Sequence, residues 1–214
     1  PESLRAAIDR GEWIVDLRSR EVFSQGHIPG SVNFDLDGAF INYLAWMMPW
    51  GTPLTLVGAT TQQVEAAMRE LARVGIATPK SQAVGDPRFW MADGELPAVT
   101  RRVDFDTVKT EWAARPDAIV MDARQILEWE NGHVEGAVFI PFYEVLDRLA
   151  DIPRDRDVYV YCGSGYRSGA VVSMLGRLGY DNLVHVDDDF GNAAKAGLAI
   201  VSERAPAREP GWTW

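Results

Sequence analysis

Apolar residues along this chain fall in short runs of strand length, separated by longer stretches of helical period. Ala118-Ile119-Val120-Met121, Val158-Tyr159-Val160-Tyr161 and Leu183-Val184-His185-Val186 are near-continuous apolar runs, the pattern of strands in a buried sheet. Between the last two, Ala170-Val171-Val172-Ser173-Met174-Leu175-Gly176-Arg177-Leu178 predicts a helix, with Gly179 placed as its left-handed C-terminal cap. Earlier in the chain, Leu54-Thr55-Leu56-Val57 predicts a strand and residues 62–74 a matching helix, capped by Gly75. Strands alternating with helices imply parallel sheets covered by helices on both faces, an α/β architecture.

The pattern occurs twice. Ile14-Val15-Asp16-Leu17-Arg18, followed by Gly26-His27-Ile28-Pro29-Gly30-Ser31-Val32, returns 106 residues later as Val120-Met121-Asp122-Ala123-Arg124 and Gly132-His133-Val134-Glu135-Gly136-Ala137-Val138. At an offset of 104, Leu71-Ala72-Arg73-Val74-Gly75-Ile76 aligns with Leu175-Gly176-Arg177-Leu178-Gly179-Tyr180. The period is too long for a solenoid and fits a tandem duplication of a small domain. Turn residues at Asp93-Gly94-Glu95 and Pro97, with Arg101-Arg102 opening the second copy, divide the chain into domains at 1–98 and 99–214. Arg204-Ala205-Pro206-Ala207-Arg208-Glu209-Pro210-Gly211 reads as an extended tail.

Composition narrows the field. The 214 residues carry 21 Lys and Arg against 31 Asp and Glu, a formal charge of −10. Such a surface repels phosphate backbones and anionic lipid, so neither nucleic acid nor a membrane is the expected partner. A hydrophobic share of 47% is enough for a packed core, and no run approaches the roughly 18 apolar residues of a membrane span. The single cysteine, Cys162, cannot form an intramolecular disulfide and fits a reducing, cytoplasmic setting. The chain opens at Pro1 without an initiator Met, which suggests excision from a longer polypeptide. No two of His27, His133, His185 and Cys162 form a metal-ligand spacing, so neither a metal nor a cofactor is expected.

One segment carries chemistry. The strand ending at Tyr161 runs into Cys162-Gly163-Ser164-Gly165-Tyr166-Arg167-Ser168 and then a helix. Ligands of open parallel sheets sit at the carboxyl ends of strands, and a glycine-rich strand-to-helix turn makes an anion-binding nest of backbone N–H groups. Those groups, the helix dipole and Arg167 all favour a Cys162 thiolate. A lone Cys is ordinarily a small buried hydrophobe, but this turn, closed by an Arg, is a poor place for one. Four residues separate Cys162 from Arg167, whereas the C-x5-R loop of cysteine phosphatases has five. The shorter cup suits a single sulfur atom on the Cys better than a phosphoryl group. A phosphatase, an arsenate reductase, and a non-catalytic sulfur-carrier or docking module stay open as alternatives.

The segment resembles the C-x-x-G-x-R-[ST] loop of the rhodanese sulfurtransferases. Asp122-Ala123-Arg124 and Gly132-His133-Val134-Glu135-Gly136-Ala137 resemble two further signatures of that family, in the same order. The resemblance implies two rhodanese-like domains, each a five-stranded parallel sheet flanked by helices. It implies that Cys162 takes sulfane sulfur from a small-molecule donor, thiosulfate or a persulfide, and passes it to a thiol or cyanide acceptor. It also makes Arg167 a loop-closing, anion-binding residue and Gly163, Ser164, Gly165, Tyr166 and Ser168 the substrate-binding loop. Where many members have a G-G-[FILM]-x-x-W segment, this chain has Asp187-Asp188-Asp189-Phe190-Gly191-Asn192. Those carboxylates are expected either to weaken binding of an anionic donor or to form a solvated turn.

The first copy has lost the chemistry: Gly58, Thr61 and Gln63 stand where the second has Cys162, Gly165 and Arg167. Its expected work is structural. His27 survives in that copy, so it and His133 are expected to bond backbone, and His185 to be half buried. Most tryptophans, including Trp46, Trp50, Trp90 and Trp112, are expected in cores or at the domain interface. Gly26-His27-Ile28-Pro29-Gly30-Ser31-Val32-Asn33 with the insertion at 40–50 also resembles tandem rhodanese regions that follow a metallo-β-lactamase-fold domain. Such a domain would lie upstream of Pro1.

Overall fold

The computed structural model describes residues 4–36, 39–76, 79–91 and 93–206. The end of the expected tail, from residue 207, lies outside them. The first copy comprises α1 (Leu4–Asp9), β1 (Trp13–Asp16), α2 (Arg20–Gln25), β2 (Val32–Asn33), α3 (Phe40–Met47), β3 (Leu54–Gly58), α4 (Thr61–Arg73) and β4 (Ser81–Val84). The second comprises β5 (Arg101–Val103), α5 (Phe105–Ala114), β6 (Ile119–Asp122), α6 (Ile126–Glu130), β7 (His133–Val134), β8 (Val138–Phe139), β9 (Val158–Tyr161), α7 (Tyr166–Arg177), β10 (Leu183–Val186), α8 (Gly191–Lys195) and β11 (Ile200–Val201).

Each copy builds a parallel sheet with equivalent order, β2-β1-β3-β4 in the first and β8-β6-β9-β10-β5 in the second. The first sheet has four strands among the described residues, where the resemblance implied five. β7 and β11 form a small antiparallel ribbon apart from the main sheet. No helix among the described residues is long and apolar enough to cross a membrane.

The duplicated signatures fold identically. Arg18 clasps Asp16 with its side chain and reaches the Gly26 carbonyl at 3.0 Å. Arg124 does the same to Asp122 and Gly132, at 2.7 Å for the latter. His27 and His133 each use Nδ1 to meet the backbone carbonyl four residues earlier, Phe23 and Trp129, and stack on that residue's ring. These clasps tie the carboxyl ends of β1 and β6 to the turns that follow.

The two copies share a core. Phe34, Phe40, Leu44 and Met47 of the first pack in one cluster with Phe142, Val145, Val171 and Met174 of the second. Helix α7 lies between the two sheets and is buried from Arg167 to Leu175. The Ser173 hydroxyl accepts the Asn33 N–H at 2.8 Å, and Arg177 donates to the Gly30 carbonyl at 3.0 Å. The first copy therefore clamps the helix that follows Cys162. Trp46, though 58% exposed, stacks on Phe142 across the copies as an interface residue, whereas Trp50, in the turn after α3, departs from expectation at 75% exposed. His185 is fully buried rather than half buried.

Candidate active site

The register fixes where Cys162 sits. Asp16 pairs with Val57 and Asp122 with Tyr161, so Gly58 and Cys162 follow at the same carboxyl edge of their sheets. Four residues on from Cys162, Tyr166 begins α7, whose amino end faces the turn. Cys162 is buried, and the Ser168 hydroxyl, one turn into the helix, stands 3.4 Å from its sulfur. The same hydroxyl lies within reach of the Gly165 and Val186 carbonyls, so its single proton is shared among three acceptors. Among the described residues no protein carbonyl takes the backbone N–H groups of Gly163, Ser164 or Gly165. Those donors are left for solvent or a bound anion.

Gly165 caps the helix in the left-handed region, at φ +85°. A Cβ there would stand 1.9 Å from Asp187 Oδ1, so the turn needs glycine for both backbone angle and space. From β10, His185 donates through Nε2 to the Gly165 carbonyl at 2.8 Å. Burial pushes the His185 pKa down to about 4, so the ring is neutral and can hold that proton.

Arg167 folds back over the loop: a Cβ on Gly163 would come within 2.8 Å of its Nη2. It does not stand free. Both of its terminal nitrogens bond the Glu128 carboxylate, Nη2 to Oε1 at 2.8 Å. Burial alone would raise the Glu128 pKa, but Arg167 and the Gln125 N–H outweigh it and hold the carboxyl below its ordinary range. The rim is aromatic. The Phe142 ring centre lies 5.8 Å from the Arg167 guanidinium carbon, and Tyr43 and Trp46 of α3 pack on Phe142. Tyr166 donates its hydroxyl to the Asp35 carbonyl of the first copy. Beside this rim a cleft of about 580 Å³ is lined by Ala45, Trp46, Trp50, Ile126, Leu127 and Tyr143.

The acidic turn divides in two: Asp189 is exposed and leads into α8, as a solvated turn would, whereas Asp187 is drawn into ion pairs. Asp187 is held by Arg20 at 2.6 Å and by Arg102 at 2.9 Å, and these partners keep its carboxyl ionised despite burial. Asp188 accepts the Phe105 and Asp189 N–H groups, and Asp189 accepts that of Gly191. In the first copy the Gln63 side chain occupies the turn. It accepts the Ala59 N–H at 2.8 Å and donates to the Leu17 carbonyl at 2.6 Å. That loop holds neither a thiol nor a cation.

The structure gathers Cys162, Gly163, Ser164, Gly165, Tyr166, Arg167 and Ser168 in the turn between β9 and α7. It adds Glu128, Arg20, Tyr43, Phe142 and His185, which sequence reading did not place there. Glu128 lies three residues after Gln125, a helix-start spacing, but its pairing with Arg167 has no local signal.

Comparison with known proteins settles the family. The rhodanese-like domain family matches residues 1–84 and again 107–193. The chain belongs to the rhodanese-like domain family. A sulfurtransferase of Allochromatium vinosum is 29% identical over 104 residues, 49% of this chain and 97% of that protein. The thiosulfate sulfurtransferase PspE of Escherichia coli is 36% identical over 73 residues, 33% of this chain and 67% of its own length. The crystal structure of thiosulfate sulfurtransferase from Pseudomonas aeruginosa aligns with 96% of this chain and 44% of its own, at 21% identity and a TM-score of 0.41. The match covers less than half the length of several other relatives. Membership of the rhodanese-like family and likeness to sulfurtransferases place this chain among the sulfurtransferases in general kind.

Proposed function

We propose that the second rhodanese-like copy moves sulfane sulfur from thiosulfate or a persulfide to cyanide or a thiol by way of a Cys162 persulfide. The Cys162 thiolate attacks the donor's outer sulfur, the donor's S–S bond breaks, and sulfite or a thiolate leaves with the bonding pair. The acceptor then attacks the outer sulfur of the persulfide and returns Cys162 to the thiolate. Each step exchanges one nucleophile for another at sulfur, so no external oxidant or reductant is needed.

The observation that carries the reading is the placement of Cys162 under the glycine turn at the amino end of α7, with Arg167 folded across the loop. Backbone N–H groups and the helix dipole stabilise negative charge there, on the thiolate and on the outer persulfide sulfur alike. A cytoplasmic setting and an upstream metallo-β-lactamase-fold domain belong to the same proposal. The single cysteine supports the first, and the resemblance of residues 26–33 with the 40–50 insertion supports the second. The test is Cys162→Ser, with sulfur transfer to cyanide measured from thiosulfate and from an organic persulfide. The variant is expected to fold normally and lose transfer. Turnover within about tenfold of the parent contradicts the assignment of the nucleophile.

A further inference from the structure

The first copy reaches the Cys162 loop through one charged side chain. Ser19 caps α2 by accepting the Val22 N–H, so Arg20 is the first residue of that helix. Its Nε donates to Asp187 Oδ1 at 2.6 Å and its Nη2 to the Ser164 carbonyl at 3.3 Å. One guanidinium therefore joins a loop carbonyl to the carboxylate against which Gly165 is packed. Asp187 Oδ2 takes Arg102 on its other side, and Asp35 stands 3.9 Å from Arg20 Nη1.

We propose that Arg20 is a positioning residue for sulfur transfer at Cys162, acting from the non-catalytic copy through Asp187 and the Ser164 carbonyl. The inference rests on Cys162 being the sulfur carrier. Two consequences of the geometry support it. First, Arg167 is committed to Glu128, which leaves Arg20 as a second cation bonded directly to the loop. Arg20 meets the loop at the Ser164 carbonyl and Arg167 lies over Gly163, so two cations bear on the same turn. Second, Asp187 sits against the loop apex. With Arg20 gone, Arg102 is the one cation left on it among the described residues, and its negative charge then opposes the anionic sulfur on Cys162. The first copy lacks a thiol, yet it sets the shape and charge of the loop that has one.

The experiment uses the full chain with Arg20→Met, Arg20→Lys, Asp187→Asn and the Arg20→Met/Asp187→Asn double variant. Persulfide formation on Cys162 is followed by intact mass over time with thiosulfate, and KM and kcat are measured for transfer to cyanide. Arg20→Met is expected to slow loading on the order of tenfold. Arg20→Lys recovers part of the loss, because it keeps the charge without the two-armed geometry. The double variant is expected to be no slower than the slower single one, since the two groups act as a unit. Loading at the parent rate in Arg20→Met, or fully additive losses in the double variant, overturns the inference. A parent protein that never loads sulfur defeats the carrier reading itself, and this inference with it.

Discussion

Replacing Gly165 by Ala adds one methyl group and meets two separate obstacles. The residue lies at φ +85°, where a side chain costs about 1–2 kcal/mol. The new Cβ would stand 1.9 Å from Asp187 Oδ1 and 3.1 Å from Asp187 Cα. Rotating the carboxylate relieves the first contact but not the second, because Cα belongs to the backbone. Asp187 must retreat, and its bonds at 2.6 Å to Arg20 and 2.9 Å to Arg102 stretch or break. Charge-assisted bonds contribute about 1.5–3 kcal/mol when buried, and less here because both arginines are about a third exposed. The sum is on the order of 3 kcal/mol. For a chain of this size that lowers the melting temperature by roughly 6–12 °C. Thermal unfolding and cyanide-coupled sulfur transfer check both consequences, and transfer should fall further than stability. Gly163→Ala is the comparison for stability, since its Cβ meets no backbone atom, only the side-chain ends of Arg167 at 2.8 Å and Glu128 at 3.4 Å. A Gly165→Ala protein that melts within about 2 °C of the parent and transfers sulfur normally refutes the packing argument.

Three other outcomes follow from the same geometry. Glu128→Gln releases Arg167 from its ion pair, so the KM for thiosulfate should drop by up to about tenfold; an unchanged KM means that Arg167 does not meet the donor. Gly58→Cys in a Cys162→Ser background should give no transfer. A Cβ at Gly58 already meets Val64 Cγ2 at 2.8 Å, and the Gln63 amide fills the turn in place of a cation; activity near the parent's would show that the first loop forms a working cup. His185 titrates near pH 4 in the folded chain and near 6.5 when unfolded, so its contribution is complete above pH 6.5 and declines as the pH falls towards 4, by about 3 kcal/mol in all. Urea unfolding of the parent and of His185→Asn should differ in slope across that window, and parallel curves would rule the assignment out.

Local pattern was enough for much of this molecule. The apolar runs around Val120, Val160 and Val184 became adjacent buried strands, and the repeated Asp-x-Arg and Gly-His segments became superimposable clasps. The Cys162 loop was legible because its residues lie within seven consecutive positions and its chemistry is local. What escaped notice was made across elements. Glu128 is 39 residues from Arg167 and Arg20 is 167 from Asp187, and neither distance follows any period of helix or strand. The acidic turn illustrates the consequence. Three carboxylates in a row suggested repulsion of an anionic donor, yet Arg20 and Arg102 neutralise the one nearest the loop. The buried state of His185 was equally hidden, because the groups that meet its ring, the Gly165 carbonyl and Gly169 of α7, belong to another element.

The central claim is that Cys162 carries sulfur. It is tested most directly by the intact mass of the protein after incubation with thiosulfate, and separately with an organic persulfide, with and without dithiothreitol. The account predicts a gain of one sulfur atom that dithiothreitol reverses, that cyanide removes as thiocyanate, and that Cys162→Ser abolishes. An unchanged mass with every donor, or a sulfur gain that persists in Cys162→Ser, would contradict it.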